Sequence, residues 1–214
     1  MYQHILFDLD GTLTDPKVGI TSAVAHALKY YGIEVENLDT LCKFIGPPLA
    51  DSFMEYYGFS REQATEAVEK YREYFSVRGL YENKVYPGVE ALLKELTMQG
   101  KKLYLATSKP EIYAKQILEY FHLTEYFTWI GGSELSGERV RKGDVIAYVL
   151  EQGQITDKDK AIMVGDRMHD VIGAKEQNLP CIGVLYGYGN REELEQAGAT
   201  MIKASVEELR DALR

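Results

Sequence analysis

The residues able to do chemistry begin at the end of the first apolar run. Ile5-Leu6-Phe7 closes in Asp8, and a second carboxylate, Asp10, follows two positions later. Gly11 breaks the extended pattern, and Thr12 and Asp15 complete the stretch from His4 to Asp15. A short apolar run closed by glycine reads as a buried strand entering a turn. Side chains two apart on extended chain point the same way, so Asp8 and Asp10 face one cavity. Carboxylates that close repel unless a cation or a shared proton relieves them. A solvated turn is the plain alternative, since Asp and Gly are common turn residues.

Further polar groups stand at the ends of other inferred strands. Lys102 to Ala106 ends in Thr107-Ser108-Lys109-Pro110, and Ala161 to Val164 ends in Gly165-Asp166. Asp170 lies one helical turn beyond Asp166, so both can face the same place. Lys142 opens a helix whose stripe is Val145, Ile146, Val149 and Leu150. Oxygen ligands without His or Cys suit Mg²⁺. Thr107 and the helix start after it offer donors to phosphate oxygens. Lys142 offers positive charge for a transferring phosphoryl group. A carboxylate nucleophile would divide that transfer into two steps through an aspartyl-phosphate.

The elements that position these groups are of two kinds. From about Pro16 to Glu82 the pattern is all helix. Ile20, Ala23, Val24, Ala27, Leu28 and Tyr31 recur at helical spacing, a short helix runs from Leu49 to Tyr57, and Ser60 with Gln63 makes a capping box. From Lys84 on, strands alternate with helices: Val89 to Leu96 helical, Lys102 to Ala106 extended, a helix to about Phe121, then Phe127 to Ile130 extended. Lys142 to Gln152 is helical, Ala161 to Val164 extended, a helix follows to Asn178, and Cys181 to Leu185 and Met201-Ile202 are strands. That alternation predicts an α/β fold: a Rossmann-like, doubly wound parallel sheet with an inserted all-helical cap domain. The expected boundaries are 1–15 and 83–214 for the core and 16–82 for the cap.

Composition sets outer limits. The chain has 214 residues, 45% hydrophobic and 27% charged, as for a globular protein. Its net charge of −9 argues against nucleic acid or an anionic membrane as a partner. Cys42 and Cys181 are the only cysteines, too far apart in context to suggest a disulfide scaffold. No run reaches transmembrane length and no leader pattern precedes the first strand, so a cytoplasmic location is expected.

Asp8-Leu-Asp10-Gly-Thr-Leu-Thr-Asp15, Thr107-Ser108-Lys109-Pro110, Lys142 and Gly165-Asp166-Arg-Met-His-Asp170 resemble, in order, the four motifs of the haloacid-dehalogenase-like hydrolases. Ile45-Gly-Pro-Pro-Leu49 and Tyr86-Pro-Gly-Val89 bring the chain near the phosphoglycolate-phosphatase-like branch. The resemblance implies Asp8 as nucleophile and Asp10 as general acid and base. It implies Mg²⁺ held by Asp8, the Asp10 carbonyl and Asp166, with Asp170 on metal-bound water or just behind. Thr107, Ser108, Gly11 and Lys142 would bind the phosphoryl group. One departure stands out: Gly143 follows Lys142 where the family often has proline, and Arg139, Arg141 and Lys109 are rival cations. Lys109 is expected to be structural or solvated, or at most a specificity residue beside Gly46 and Pro47 of the cap loop. His169 is expected to face solvent.

The implied activity is a Mg²⁺-dependent phosphomonoesterase acting on a small phosphorylated metabolite such as 2-phosphoglycolate, as monomer or homodimer. A 5′-nucleotidase acting on nucleoside monophosphates is the alternative, and a sugar-phosphate mutase a more distant one. Asp10 argues against a dehalogenase, which by the resemblance lacks that carboxylate. The helical insert argues against a phospho-receiver switch. Thr14-Asp15-Pro16 marks where the chain leaves the core.

Overall fold

A computed structural model describes residues 2–214. The chain divides into two compact units, one formed by the residues up to Asp15 with Val85–Arg214, the other by Pro16–Lys84.

The first unit is built on a six-stranded sheet. Its strands are β1 (His4–Phe7), β4 (Lys102–Pro110), β5 (Phe127–Ser133), β6 (Ala161–Gly165), β7 (Cys181–Val184) and β8 (Met201–Lys203), in the order β5-β4-β1-β6-β7-β8. Every pairing is parallel. Numbered within the sheet alone, the order is 3-2-1-4-5-6, the Rossmann arrangement. β1 lies where the order reverses, and ligands in such sheets bind past the carboxyl ends of the strands at that reversal. The first strand thus delivers Asp8 to the position that topology favours.

Parallel strands covered on both faces read as continuous apolar runs. Ile5, Leu6 and Phe7 are fully buried, as are Tyr104, Leu105, Ala106, Ile162, Met163 and Val164. The pleat divides them. Leu6, Tyr104, Ala106, Ala161 and Met163 face a layer formed by Val145, Ile146 and Val149 of α6 (Lys142–Gln152) and Val171 and Ala174 of α7 (Met168–Glu176). Their neighbours Ile5, Phe7, Leu103, Leu105, Ile162 and Val164 are buried on the other face, where α4 (Val89–Met98) and α5 (Glu111–Tyr120) pack on β4. α8 (Arg191–Ala197) and α9 (Val206–Leu213) complete the unit.

The second unit is helical: α1 (Lys17–Tyr30), a 3-10 segment Leu38–Phe44, α2 (Leu49–Tyr57), α3 (Arg61–Tyr74) and a π-helical turn Phe75–Gly79. The capping box forms, with Gln63 N–H on Ser60 Oγ at 3.2 Å and Ser60 N–H on Gln63 Oε1 at 2.9 Å. Gly19 lets α1 approach the π turn: a Cβ there would stand 2.1 Å from the Gly79 carbonyl oxygen. Tyr30 and Tyr31 both donate to Glu66, at 3.0 and 2.8 Å. The chain leaves the first unit through β2 (Thr14–Asp15) and returns through β3 (Lys84–Val85), which pair as a two-stranded ribbon. No helix among the described residues is long and apolar enough to cross a membrane.

Two differences from the sequence expectation bear on the site. β4 runs on through Thr107-Ser108-Lys109 to Pro110, with a register shift against β5 between Ala106 and Pro110. The helix after β6 begins only at Met168, which leaves Asp166 in the turn before it. Leu105→Ala should lower unfolding stability by about 2–5 kcal/mol in urea titration, because the site lies at the centre of the sheet and cannot collapse around the lost volume.

Candidate active site

The Asp8 N–H donates to the Val164 carbonyl at 2.9 Å, so the β1–β6 ladder runs one residue past the strand and holds Asp8 in line with it. The chain then folds back. The Leu9 carbonyl accepts from the N–H groups of Thr12, Leu13 and Thr14 at 3.2, 2.9 and 3.0 Å, and the Gly11 N–H donates to the Thr14 carbonyl at 2.8 Å. Gly11 has φ +86°, and a Cβ there would lie 2.1 Å from Asp166 Oδ2. Conformation and space both require glycine at that position.

Four carboxylates and two ammonium groups are buried together at these strand ends. Lys142, the first residue of α6, places Nζ 2.7 Å from Asp8 Oδ1 and 2.8 Å from Asp170 Oδ1, and donates to the Ala106 carbonyl at 3.1 Å. Lys109 Nζ lies 2.8 Å from Asp10 Oδ2. Lys109 is therefore not a solvated residue: it is 8% exposed, because the β4 extension carries its side chain inward. Asp8, Asp166 and Asp170, all buried, each offer an oxygen within 4.8 Å of the others.

Burial governs the ionisation of this cluster. It pushes the Asp166 carboxyl well above the ordinary range, and the neighbouring charges of Asp170 and Asp8 push it further. Asp170 is raised to about 6 by burial, against the opposing pull of Lys142. Burial also raises Asp10, with Lys109 offsetting part of the effect. Burial works against the Lys142 ammonium, but Asp170 and Asp8 more than compensate and hold it above the usual lysine range. Three buried, hard oxygen donors left short of positive charge fit a small divalent cation such as Mg²⁺. Asp8, Asp166 and Asp170 are the side chains able to hold one.

Thr107 is buried within β4, and its Oγ1 accepts from the Lys109 N–H at 3.3 Å, which leaves the hydroxyl proton to donate. Ser108 is half-buried and anchored by its carbonyl, which accepts from Ser133 Oγ at 2.8 Å. Of the rival cations, Arg139 pairs with Glu134 at 3.1 Å and donates to the Gly132 carbonyl, while Arg141 is exposed and pairs with Glu176 at 2.9 Å. Gly143 lies beside the same glutamate: a Cβ there would stand 2.0 Å from Glu176 Oε2, the movable end of a partly exposed side chain. His169 does not face solvent freely: it is partly buried, and burial lowers its pKa. Gly46, at φ +106°, and Pro47 belong to the helical unit, in the turn before α2.

One part of the site escaped the sequence reading: Tyr186-Gly187-Tyr188-Gly189, just after β7. The Tyr188 N–H donates to Asp166 Oδ2 at 2.7 Å, its hydroxyl donates to Asp15 Oδ1, and the Tyr186 hydroxyl donates to the Thr12 carbonyl at 3.1 Å. Cβ atoms at Gly187 and Gly189 would fall 2.3 Å from the Gly11 carbonyl oxygen and 1.9 Å from that of Asp166. The signal was available as two glycines in the turn after a strand.

This parallel sheet, with its acidic cluster at the reversal of strand order, is matched over residues 5–184 by the family described as haloacid dehalogenase-like hydrolase. The chain belongs to that family and is a phosphoric monoester hydrolase. Over 99% of its length it is 46% identical to a Pseudomonas aeruginosa protein named 5′-nucleotidase, covering 96% of that protein. It is 38% identical over 99% of its length to the Mycobacterium tuberculosis tyrosine-protein kinase PtkA, covering 72% of it. It is 31% identical over 98% of its length to phosphoglycolate phosphatase 1 of P. aeruginosa, covering 78% of it. The crystal structure of a predicted phosphatase from Clostridium acetobutylicum superposes with TM-score 0.97 at 54% identity, covering 100% of this chain and 98% of that one.

A cation held by the acidic cluster binds the folded state alone. Mg²⁺ at about 100 times its dissociation constant should therefore stabilise the protein by about 2.7 kcal/mol, read as a rise in melting temperature. Asp166→Asn should abolish most of that rise.

Proposed function

We propose that the protein is a Mg²⁺-dependent phosphomonoesterase that hydrolyses a small phosphorylated metabolite through an aspartyl-phosphate on Asp8, with a nucleoside monophosphate as substrate. The observation that carries the reaction is the ion pair of Asp8 with Lys142 at 2.7 Å, at the end of the central strand and beside Asp10.

A carboxylate oxygen of Asp8 attacks phosphorus as the P–O bond to the leaving alcohol breaks. Asp10 gives a proton to the departing oxygen. Lys142, with the Thr107 hydroxyl, holds the phosphoryl oxygens, where charge is concentrated. A water then attacks the same phosphorus and gives its proton to Asp10. The acyl-phosphate P–O bond breaks, inorganic phosphate leaves, and the Asp8 carboxylate is restored. Mg²⁺ on Asp8, Asp166 and Asp170 would supply charge neutralisation and orient the phosphoryl group. The elevated pKa of Asp10 suits a group that must carry a proton in one step and accept one in the next.

The choice of a nucleoside monophosphate rests on the 46% identity to the protein named 5′-nucleotidase, almost end to end in both chains. 2-Phosphoglycolate is the second reading, favoured by the relative named phosphoglycolate phosphatase 1 at 31% identity.

A panel of nucleoside 5′-monophosphates, 2-phosphoglycolate and hexose phosphates, read as released phosphate, tests both readings. The highest kcat/KM is expected on a nucleoside monophosphate. Highest turnover of 2-phosphoglycolate would favour the second, and no turnover of any ester with Mg²⁺ would contradict both. Asp8→Asn should lower kcat by about 10³-fold or more with the fold intact by circular dichroism.

A further inference from the structure

Lys109 is a buried cation that the two-step reaction leaves without a task. Its backbone is fixed at several points. Pro110 follows it and restricts it to extended conformations. Its N–H is tied to Thr107 Oγ1, and the carbonyl before it is held by Ser133 Oγ at 2.8 Å. Gly132 packs against its own carbonyl oxygen so closely that a Cβ there would lie 2.6 Å away. This anchored segment delivers Nζ to Asp10 Oδ2 at 2.8 Å, with both side chains almost wholly buried. The other oxygen, Asp10 Oδ1, is buried with no hydrogen-bond partner among the described residues. A buried carboxylate oxygen without a partner is costly unless some other group meets it.

We propose that Lys109 is a positioning residue: it clamps Asp10 through Oδ2 and so fixes the carboxyl with Oδ1 as the oxygen that meets the leaving group. This rests on the assignment of Asp10 as proton carrier. The proton moves from Asp10 Oδ1 to the ester oxygen as the P–O bond breaks, while Oδ2 stays on the ammonium. In this account Lys109 acts on the reaction through Asp10. Its removal should therefore impair the step in proportion to the help the leaving group needs.

The test is a series of aryl phosphates from p-nitrophenyl to phenyl phosphate, with Mg²⁺, on the wild type, Lys109→Met, Lys109→Arg and Asp10→Asn. General acid assistance is worth about 10²–10⁴-fold, so mispositioning the acid should forfeit part of it. Lys109→Met should lose about 10- to 100-fold in kcat on phenyl phosphate and several-fold less on p-nitrophenyl phosphate, with little change in KM. Lys109→Arg, which keeps the charge, should recover part of the loss. Adding Lys109→Met to Asp10→Asn should cost little more, because residues that act through one another are not additive.

Equal losses on good and poor leaving groups, or a rise in KM alone, would overturn the positioning role. So would additive losses in the double variant. A steeper leaving-group dependence in Asp10→Asn but not in the Lys109 variants would refute this inference alone. No steepening in Asp10→Asn would refute the proton-carrier assignment itself. If Lys109→Met does not fold, Lys109→Arg and Lys109→Gln carry the same comparison, and a flat leaving-group response in both counts against the role.

Discussion

Four carboxylates, Asp8, Asp10, Asp166 and Asp170, are buried within one small region against the ammonium groups of Lys109 and Lys142. Fully ionised, they exceed their ammonium partners by two charges. Burying unpaired charge is expensive, so the protein must hold these groups by rigid neighbours and direct pairing. Much of the surrounding architecture can be understood from that requirement. The two lysines divide the acids between them, Lys142 serving Asp8 and Asp170 and Lys109 serving Asp10. Asp166 has no such pairing; it receives the Tyr188 N–H and, at 3.4 Å, the Thr12 hydroxyl. Burial and the neighbouring charges of Asp170 and Asp8 hold its carboxyl well above the ordinary range.

The parallel sheet is what allows this crowding. Three adjacent strands, β4, β1 and β6, run side by side; Thr107 lies within β4, and Asp8 and Asp166 follow the last residues of β1 and β6. Glycines then let backbone segments approach where side chains would collide. Gly11 and Gly187 stand against Asp166, and Gly165 stands against Asp170, where a Cβ would fall 2.1 Å from the carboxyl carbon. Gly173 makes room for the Lys142 stem, with a Cβ there 2.8 Å from its Cγ. The site is thus held from its flanks by close approaches that a side chain at any of these glycines would disturb.

The sheet was legible in the sequence because its strands are continuous apolar runs separated by amphipathic helices. Asp8, Asp10, Lys142, Asp166 and Asp170 were legible as candidates because each lies at or shortly after an inferred strand end or at a helix start. Lys109 stood open between a structural and a solvated role because local sequence does not show that β4 continues through Pro110; the structure buries it, in a segment whose Ser108 carbonyl is held by Ser133 Oγ, 25 residues away. The Tyr186–Gly189 loop was missed for a similar reason. Its tyrosines and glycines matter only through Asp166, Thr12 and Asp15, which tertiary structure alone brings near.

Family membership and the acidic cluster together support the proposed phosphoryl-transfer site, and the central claim is that Asp8 carries the phosphoryl group between the two steps. Rapid acid quenching of the enzyme turning over a ³²P-labelled ester, followed by borohydride reduction and peptide mapping, tests it most directly. The account predicts label before the steady state and reductive conversion of Asp8 alone to homoserine. Full turnover with no labelled protein at any time, or label on a residue other than Asp8, would contradict it.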